Sequence, residues 1–189
     1  MKSFSKKVAE TAGLVCVLPL LALYKLGIFA FATVSHLLSM IPGLAGIYIR
    51  RAWYSHTLAA CGENLVVDFG GFIRTNKARV GNNSYVGVHS GIAQAEIGDD
   101  VLISGGVWVL SGGQQHGKKA GIRIREQDGA VKTIKIGNDV WIGVGAIVFD
   151  DIPAGCIVGA GSVVTKSPNE NEIVAGAPAR KIGEREQAD

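Results

Sequence analysis

The sequence contains little cysteine, few aromatic side chains and little charge. Its three cysteines are odd in number and scattered along 189 residues, so they imply no disulfide framework and favour a reducing compartment. Charged residues make up only 19% of the chain and hydrophobic residues 48%, so the composition excludes an intrinsically disordered protein. Glycine is abundant, with 26 residues, but no G-X-Y period runs through the chain, and this excludes collagen.

Acidic residues are nearly absent from the first 60 residues. This part has six basic residues and one acid, Glu10, whereas residues 61–189 have 13 basic and 15 acidic residues. The basic residues flank apolar stretches and do not form a stripe with interleaved aromatics, so we expect no nucleic-acid binding. Glycine is divided in the same way, with four in the first 60 residues and 22 in the rest. The sequence therefore joins two physically different parts.

The first part, residues 1–60, is predicted to be an apolar helical segment. Residues 11–24 and 26–49 carry no formal charge. A membrane span needs about 20 apolar residues, and shorter runs re-enter the bilayer or lie at its surface. Pro19 and the Pro42-Gly43 pair are expected to kink or break the helices. Basic clusters at both ends, including Arg50-Arg51, favour placing both ends on the cytoplasmic side. We therefore expect a membrane anchor or helical hairpin formed by residues 8–51.

Two other interpretations of this segment remain open. One is a buried helical pair that covers the glycine-rich part of the chain. The other is a cleaved signal peptide, because Ala30-Phe31-Ala32 has the A-x-A form of a cleavage site. Two residues argue against a signal peptide: Glu10 places an acidic charge in the basic region, and Lys25 interrupts the apolar region.

The second part, residues 61–183, repeats every six residues. Ile or Val opens each hexad, Gly usually follows, and the fifth residue is small or β-branched. The hexads read VGNNSY, VGVHSG, IGDDVL, ISGGVW, VLSGGQ, IGNDVW, IGVGAI, a shortened VFDD, IPAGCI, VGAGSV and VTKSPN. If three hexads form one triangular turn, the first residue points inward and stacked turns pair as parallel strands. Glycine at the second place is expected to permit a tight corner, often with positive φ.

This pattern predicts a mainly β fold, a parallel solenoid of roughly five turns between about residues 64 and 168. The hexads resemble those of the hexapeptide-repeat acyltransferases, above all in IGNDVWIGVGAIVF, IPAGCIVGAGSVVTKS and IVAGAPARKIG. The resemblance covers about residues 62–183. It is nearest to maltose, galactoside and virginiamycin O-acetyltransferases and to enzymes that acetylate bacterial exopolysaccharide or O-antigen. It implies a left-handed parallel β-helix, a homotrimer with sites between solenoids, acetyl-CoA as co-substrate and no metal.

Residues 112–133 interrupt the hexads and contain His116. Loops that leave a rigid scaffold often carry function. Acyl transfer from a thioester to a hydroxyl requires removal of the hydroxyl proton, and histidine suits this because its pKa is about 6.5. The resemblance implies that His116 is the catalytic base, because relatives place it where the long loop leaves the helix. The alternative is a solvated loop histidine.

The resemblance also assigns residues to the two substrates. Those implied for coenzyme A are Trp141, Gly143, Val144, Ala160, Thr165, Lys166 and Arg180. By this resemblance the first three line the pantetheine arm of coenzyme A, where a backbone N–H stabilises the oxyanion. The last two bind its phosphates, and two cations near the end of a mostly neutral solenoid are suited to that role. Surface solubility for the cations and subunit packing for the tryptophan are the alternatives. His89 and Ser90 are implied for the sugar, although Ser90 is at an inward fifth place.

The resemblance, taken together with the apolar first part, implies an acetyl-CoA-dependent O-acetyltransferase that acts on a sugar hydroxyl in bacterial surface polysaccharide biosynthesis. Acyl-CoA is cytoplasmic, so we expect the cytoplasmic face of the inner membrane and a sugar or lipid-linked glycan as acceptor. One alternative is an acyltransferase of the same fold that acts on serine, a nucleotide sugar or an antibiotic. Another is a non-catalytic scaffold. A zinc carbonic anhydrase of this fold is disfavoured, because His89 and His116 stand apart in the sequence. Residues 184–189 are expected to form a polar tail.

Overall fold

A computed structural model describes residues 2–186 of the chain, with the side chains of residues 2–5 left undescribed. Three helices come first: α1 (Lys2–Lys25), α2 (Phe31–Ser39) and α3 (Gly43–Thr57). A kink or a break is expected at Pro19; helix α1 continues through this proline, so it does not break the helix. The Pro42-Gly43 pair does separate α2 from α3, and Pro42 is the N-cap of α3.

Short strands at six-residue intervals form three parallel sheets, which confirms the predicted parallel solenoid. Sheet A contains β1 (Ala60–Cys61), β4 (Arg79–Val80), β7 (Ala95–Ile97) and β10 (Ile134–Ile136). Sheet B contains β2 (Val66–Val67), β5 (Tyr85–Val86), β8 (Leu102–Ile103), β11 (Trp141–Ile142), β13 (Ile157–Val158), β15 (Glu172–Gly176) and β16 (Ala179–Glu184). Sheet C contains β3 (Phe72–Ile73), β6 (Gly91–Ile92), β9 (Trp108–Val109), β12 (Ile147–Val148) and β14 (Val163–Val164).

The solenoid is longer than the hexads alone predict. It begins at Ala60, and sheet B contains six parallel strands, so the chain makes about six turns where roughly five are expected. Strand β16 then turns back antiparallel to β15. Of the predicted tail at residues 184–189, Glu184 ends β16 and the Arg185 guanidinium lies 2.7 Å from the Asp139 carboxylate. Residues 187–189 lie outside the described residues.

The hexad pattern places its side chains as predicted. The first residue of every hexad from Val80 to Val164 is at most 5% exposed, and the fifth places from Ser84 to Ser162 are buried, apart from the polar hexad that enters the loop. Each buried aliphatic side chain stabilises the fold by roughly 1.5–3 kcal/mol relative to an exposed one. One turn alone has no partner surface for its inward residues, so the turns are stable only as a stack.

Glycine at the second hexad place has a different role from the one expected. These glycines do not have positive φ; they allow two turns to approach closely, and a Cβ on Gly143 would lie 2.6 Å from the Ala160 nitrogen. Positive φ occurs at the fourth place. The non-glycine residues of the hexads that adopt it are Asn83, His89, Asp100 and Asp139. Asparagine and aspartate tolerate this conformation better than most residues.

The helices α2 and α3 close the first end of the solenoid. Their buried side chains, including Val34, Trp53 and Tyr54, join the same hydrophobic core as Leu65 and Ile73. The Ile73 N–H donates to the Tyr54 hydroxyl at 2.9 Å, and burial raises the pKa of this tyrosine to about 12. Helices α2 and α3 thus each pack one face against the solenoid, while residues such as Leu37 and Leu44 stay exposed.

Arg50 belongs to the core of the protein, whereas the sequence pattern leads us to expect it at the surface beside a membrane. Its side chain is fully buried, and burial lowers its pKa. Its Nε donates to the Val67 carbonyl at 2.8 Å, and its Nη1 donates to the carbonyls of Leu38 and Ile41 at 2.9 and 2.7 Å. Arg50 thus ties the end of α2 to the first turn of the solenoid.

Candidate functional site

The predicted site residues lie at the corners between sheets. We name the corner that joins sheet A to B corner 1, the corner that joins B to C corner 2, and the corner that joins C back to A corner 3. In four successive turns, corner 2 presents Val88–His89, Gly105–Gly106, Val144–Gly145 and Ala160–Gly161. We call this set the corner 2 column. Backbone hydrogen bonds of 2.8–3.0 Å join its members: the N–H groups of Gly106, Gly145 and Gly161 donate to the carbonyls of Val88, Gly105 and Val144, respectively.

The backbone N–H groups near Trp141 are not equivalent. Those of Trp141 and Gly143 donate to the Cys156 and Val158 carbonyls at 3.0 and 2.7 Å, so the solenoid ladder already uses them. Among the residues that the structure describes, the N–H of Val144 has no hydrogen-bond partner. Val144 is 61% exposed and the nearby Trp141 is 51% exposed. The indole Nε1 of Trp141 donates to Ser104 Oγ at 3.2 Å. Val144 is therefore the candidate oxyanion donor of this group.

The two predicted phosphate-binding cations lie at different corners. Arg180 is on β16 opposite Ala175, and the N–H of the adjoining Gly176 donates to Ser162 Oγ at corner 2. Lys166 follows β14 at corner 3 together with Thr165. Both cations are exposed. Arg180 therefore extends the corner 2 column, whereas Lys166 does not.

The loop of residues 112–133 leaves the solenoid at corner 3. Its neck is closed by bonds from Ala130 N–H to the Gln114 carbonyl at 2.7 Å and from Lys132 N–H to the Ser111 carbonyl at 3.0 Å. The Gln127 side chain bonds to the backbone of Lys119 and Ile122, which holds the tip of the loop around a short 3-10 helix, Ile124–Glu126. The loop is thus a folded structure of its own.

His116 lies on the surface of this loop. Its side chain is exposed and, within residues 2–186, makes no hydrogen bond. It lines a cavity of about 380 Å³ with Gln114, Lys118 and Asp128, among other loop residues. The imidazole is therefore free to meet a substrate that approaches from outside the loop.

A second cavity of about 660 Å³ lies between the loop and corner 3. Lys118, Lys132, Asp150 and Thr165 are among its lining residues. Lys132 forms ion pairs with Asp150 and, at 2.9 Å, with Asp151, and these carboxylates raise the pKa of the lysine. The predicted Thr165 thus shares a cavity with the base of the loop.

The structure does not bring His116 together with the corner 2 column in one chain. The loop emerges from corner 3, and the column is at corner 2, so the strands of sheet C separate them. The cavity that His116 lines includes neither Val144 nor Ala160.

The two residues expected to bind sugar differ in accessibility. His89 is exposed at corner 2, with its ring edge-on to Phe69 at 5.4 Å between centroids. Ser90 is fully buried; its hydroxyl donates to the Ser104 carbonyl and accepts from the Val107 N–H. Ser90 is therefore a core residue and cannot contact a sugar in this structure, which corrects the expectation for it.

A cavity beside His89 is not predicted from the sequence. It has a volume of about 590 Å³ and lies between α2 and corner 2, with His36 and Phe72 in its lining. The sequence shows α2 only as part of an apolar run, and no spacing in that run indicates which residues face the solenoid. Within residues 2–186, no group of three or more His, Cys, Asp or Glu side chains is arranged to hold a metal ion.

The outward faces of the three sheets differ in polarity. The outward residues of sheet B include Leu102, Trp141 and Ile157, and those of sheet C include Trp108 and Ile147. Leu102 and Trp108 are 52% and 44% exposed. Sheet A instead presents Arg79, Glu96 and Lys135. The solenoid thus has two apolar faces that meet at corner 2, and one charged face.

Comparisons with known proteins agree with this architecture. The family model "Hexapeptide repeat of succinyl-transferase" matches residues 77–111 and 133–166, on either side of the loop. The chain is similar to galactoside O-acetyltransferase of Escherichia coli, with 30% identity over an alignment of 144 residues that covers 71% of this chain and 68% of that protein.

Two solved structures are similar in fold. The first is a maltose O-acetyltransferase from Clostridium difficile 630, with a TM-score of 0.69 and 23% identity over 83% of this chain and 86% of that one. The second is galactoside acetyltransferase in complex with coenzyme A, with a TM-score of 0.61 and 25% identity over 82% of this chain and 80% of that one.

Proposed function

Since this chain belongs to the hexapeptide-repeat acetyltransferases, we propose that it transfers the acetyl group of acetyl-CoA to a sugar hydroxyl, with His116 as general base. The family assignment makes the chain an acyl-CoA-dependent acetyltransferase. The observation that carries the sugar proposal is the corner 2 column, which stacks the acceptor candidate His89 beneath the donor candidates Val144 and Ala160. Two turns separate His89 from Val144, a distance of about 10 Å at about 4.8 Å per turn.

The proposed chemistry assigns one task to each group. The sugar oxygen attacks the thioester carbonyl carbon while the imidazole of His116 accepts the hydroxyl proton. The Val144 N–H, which has no partner among the described residues, donates to the oxyanion that forms on the carbonyl oxygen. The carbon–sulfur bond then breaks, and the departing thiolate of coenzyme A takes the proton from His116.

We propose that the active enzyme is a homotrimer. In one chain, the loop with His116 and the corner 2 column lie at opposite edges of sheet C, so one copy does not assemble both halves of the site. The apolar outward faces of sheets B and C offer surfaces that a neighbouring solenoid would cover. A ring of three copies would place the His116 loop of one chain beside the corner 2 column of the next.

The same arrangement accounts for the coenzyme A residues. Trp141, Gly143, Val144 and Ala160 form one wall of the donor groove at corner 2, with Arg180 at its end. Thr165 and Lys166 would come from the neighbouring copy at its corner 3. Both cations are exposed and available to phosphate groups, for which arginine forms paired hydrogen bonds and lysine acts as a point charge.

We also propose that α1 attaches the enzyme to the cytoplasmic face of a bacterial inner membrane. The stretch Lys6–Lys25 has a mean hydropathy of 1.6 and is long and apolar enough to cross a membrane by length and composition. Its outward face exposes Val8, Val15 and Leu18, each more than half exposed. Acetyl-CoA is a cytoplasmic substrate, which supports this side of the membrane.

The contacts of α1 favour a helix that lies along the membrane surface. Near its first end Lys6 donates to Asn64, and near its last end the Tyr24 hydroxyl accepts from Asn76 at 3.0 Å. The helix is about 36 Å long, and a spanning helix would carry one end across the bilayer, about 30 Å away from the solenoid. Both ends contact the first part of the solenoid, so α1 would lie in the interface with its outward face in the lipid.

This placement supports a membrane-bound acceptor, such as a lipid-linked sugar of a surface polysaccharide. The deciding experiment measures release of the coenzyme A thiol from acetyl-CoA in the presence of membrane lipid extract, and in parallel with soluble sugars, serine, nucleotide sugars and chloramphenicol. We expect turnover with lipid extract or sugars. Turnover with serine or the antibiotic alone would contradict the proposed acceptor, and no turnover with any of them would favour a scaffold.

A further inference from the structure

The cavity beside His89 is a defined part of the fold. It occupies about 590 Å³ between α2 and corner 2, at the level of the first two turns. Such a volume lies within the range of pockets that hold small molecules. Its lining includes the imidazoles of His36 and His89 and the hydroxyl residues Thr33 and Ser39, but most of its surface is apolar. The apolar side chains are those of Leu37, Met40 and Phe72.

The α2 wall of this cavity is held firmly to the solenoid. The Gly70 N–H donates to the Ser39 carbonyl at 2.8 Å, and the rings of His36 and Phe72 are edge-on at 4.4 Å between centroids. The buried Arg50 binds the Leu38 carbonyl from the other side of α2. The cavity is therefore preformed and does not depend on a mobile helix.

The cavity opens where the corner 2 column begins. His89 belongs both to its lining and to the column, so a sugar held along the column has one end at the cavity. Leu37 and Met40 are 56% and 65% exposed, although both are apolar. Exposed apolar side chains inside a concave site indicate an apolar ligand group.

We propose that this cavity is an aglycone subsite, which binds the alkyl or prenyl chain of an amphipathic glycoside while its sugar faces His89 and the corner 2 column. The inference rests on the proposed function, because it takes the sugar to be the acetyl acceptor. It assigns α2 a role in acceptor selection that is separate from the contact of α1 with a membrane.

The test compares glycosides that differ only in their chain. Methyl and octyl glucosides, galactosides and maltosides are supplied with acetyl-CoA below the micelle concentration, and release of the coenzyme A thiol is followed. For the sugar that is acetylated fastest, we expect kcat/KM to be at least about tenfold higher for the octyl glycoside than for the methyl glycoside. A gain of this size requires burial of only about two methylene groups of the chain. The double variant Leu37→Ser, Met40→Ser should reduce the octyl-to-methyl ratio to near one.

Leu44→Ser is the matched control. Leu44 is apolar and 73% exposed, but it belongs to α3 and does not line the cavity, so the ratio should persist in this variant. Equal kcat/KM values for octyl and methyl glycosides in the unmodified enzyme would overturn the proposal. An octyl preference that survives the double variant would also overturn it, because the chain would then bind elsewhere, for example on α1.

Failure of the proposed function gives a different result. If no glycoside is acetylated, the sugar acceptor is wrong, and calorimetric binding of the octyl glycosides then decides the cavity by itself. Binding that is lost in the double variant and kept in Leu44→Ser supports the apolar subsite. Binding that is absent from the unmodified chain, or equal in all three proteins, contradicts it.

Discussion

The hydroxyl oxygen of Ser90 lies 2.9 Å from the carbonyl oxygen of Ser104 in the next turn, and donates a hydrogen bond to it. The same oxygen accepts from the Val107 N–H at 3.0 Å. Ser84 makes the equivalent pair of contacts at corner 1, with the Gly98 carbonyl and the Val101 N–H. These serines therefore act as hydrogen-bonding links between turns.

Replacement of Ser90 by alanine should lower stability and leave acceptor binding unchanged. The Val107 N–H would lose its side-chain partner inside the core, which costs about 1–3 kcal/mol in the free energy of unfolding. Ser84→Ala is the control and should give a similar loss, measured by urea denaturation. A rise in KM for the acceptor in Ser90→Ala, but not in Ser84→Ala, would contradict the structural role.

Replacement of His116 by alanine should abolish most of the activity. Loss of a general base lowers kcat by about 10²–10⁴, and the exposed side chain makes no hydrogen bond among the described residues, so the fold should persist. Coenzyme A binding, measured by calorimetry, should be retained. Lys119→Ala, in the same loop, should keep full turnover. Undiminished turnover in His116→Ala would exclude this histidine as the base.

The apolar faces should control assembly. We expect light scattering after size exclusion to give a trimer for the unmodified chain and smaller species for Leu102→Glu, because the new charge lies on the apolar face of sheet B. Arg79→Glu, on the charged face of sheet A, should remain trimeric. A stable and fully active monomer of the unmodified chain would argue against a site shared between copies.

A shared site also predicts recovery of activity in mixed trimers. His116→Ala and Val144→Pro damage different halves of the site, since proline has no N–H to offer the oxyanion. Each variant alone should be inactive, and co-expression should restore a measurable fraction of turnover. Val144→Ala, which keeps the N–H, should remain active. Mixed trimers with no more activity than the separate variants would place both residues in one chain's site.

The reactivity of Cys16 and Cys61 toward iodoacetamide tests the proposed contact of α1 with a membrane. Cys16 is exposed on α1, whereas burial raises the pKa of the Cys61 thiol to about 11. A raised pKa means that the reactive thiolate forms only at higher pH, so about 10⁻³ of Cys61 is thiolate at pH 8. In solution at pH 8, mass spectrometry should therefore find that iodoacetamide modifies Cys16 and spares Cys61.

Anionic vesicles should then protect Cys16 from iodoacetamide, because α1 would place it in the lipid interface. Val15→Glu should weaken vesicle flotation and restore the modification. A tag before residue 1 should remain accessible to protease when the solenoid is outside the vesicle. Protection of that tag would instead indicate a helix that spans the bilayer.

The sequence predicts the solenoid well because its signal is periodic. Val80, Ile103 and Ile142 recur at one place in the hexad, and burial of that row is the main requirement of the fold. The first turn is harder to recognise, since Ala60–Cys61 and Phe72–Ile73 lie in irregular hexads. The positive-φ position is predicted wrongly because a glycine in a repeat signals either a turn or a close approach, and sequence does not separate them.

The site is less predictable than the fold. The interrupted hexads indicate where the His116 loop leaves the solenoid. The cavity between α2 and corner 2 instead depends on how α2 packs against the solenoid, which no sequence pattern shows. Arg50 shows the same limit, because an arginine after an apolar run is expected in water or at a lipid surface. Its burial depends on the Leu38 and Ile41 carbonyls before it and on the Val67 carbonyl in the first turn of the solenoid, and the sequence does not show that these groups meet.

The loop enters and leaves the solenoid at a single corner, with its neck closed by two backbone hydrogen bonds. Strands β9 and β12, of successive turns, pair in register although the 22-residue insertion lies between them in the sequence. The hydrogen-bond ladder between turns therefore does not require any particular length or sequence in the segment inserted at corner 3. We therefore expect that another segment of similar neck geometry could replace this loop without any change in the hexads of the solenoid.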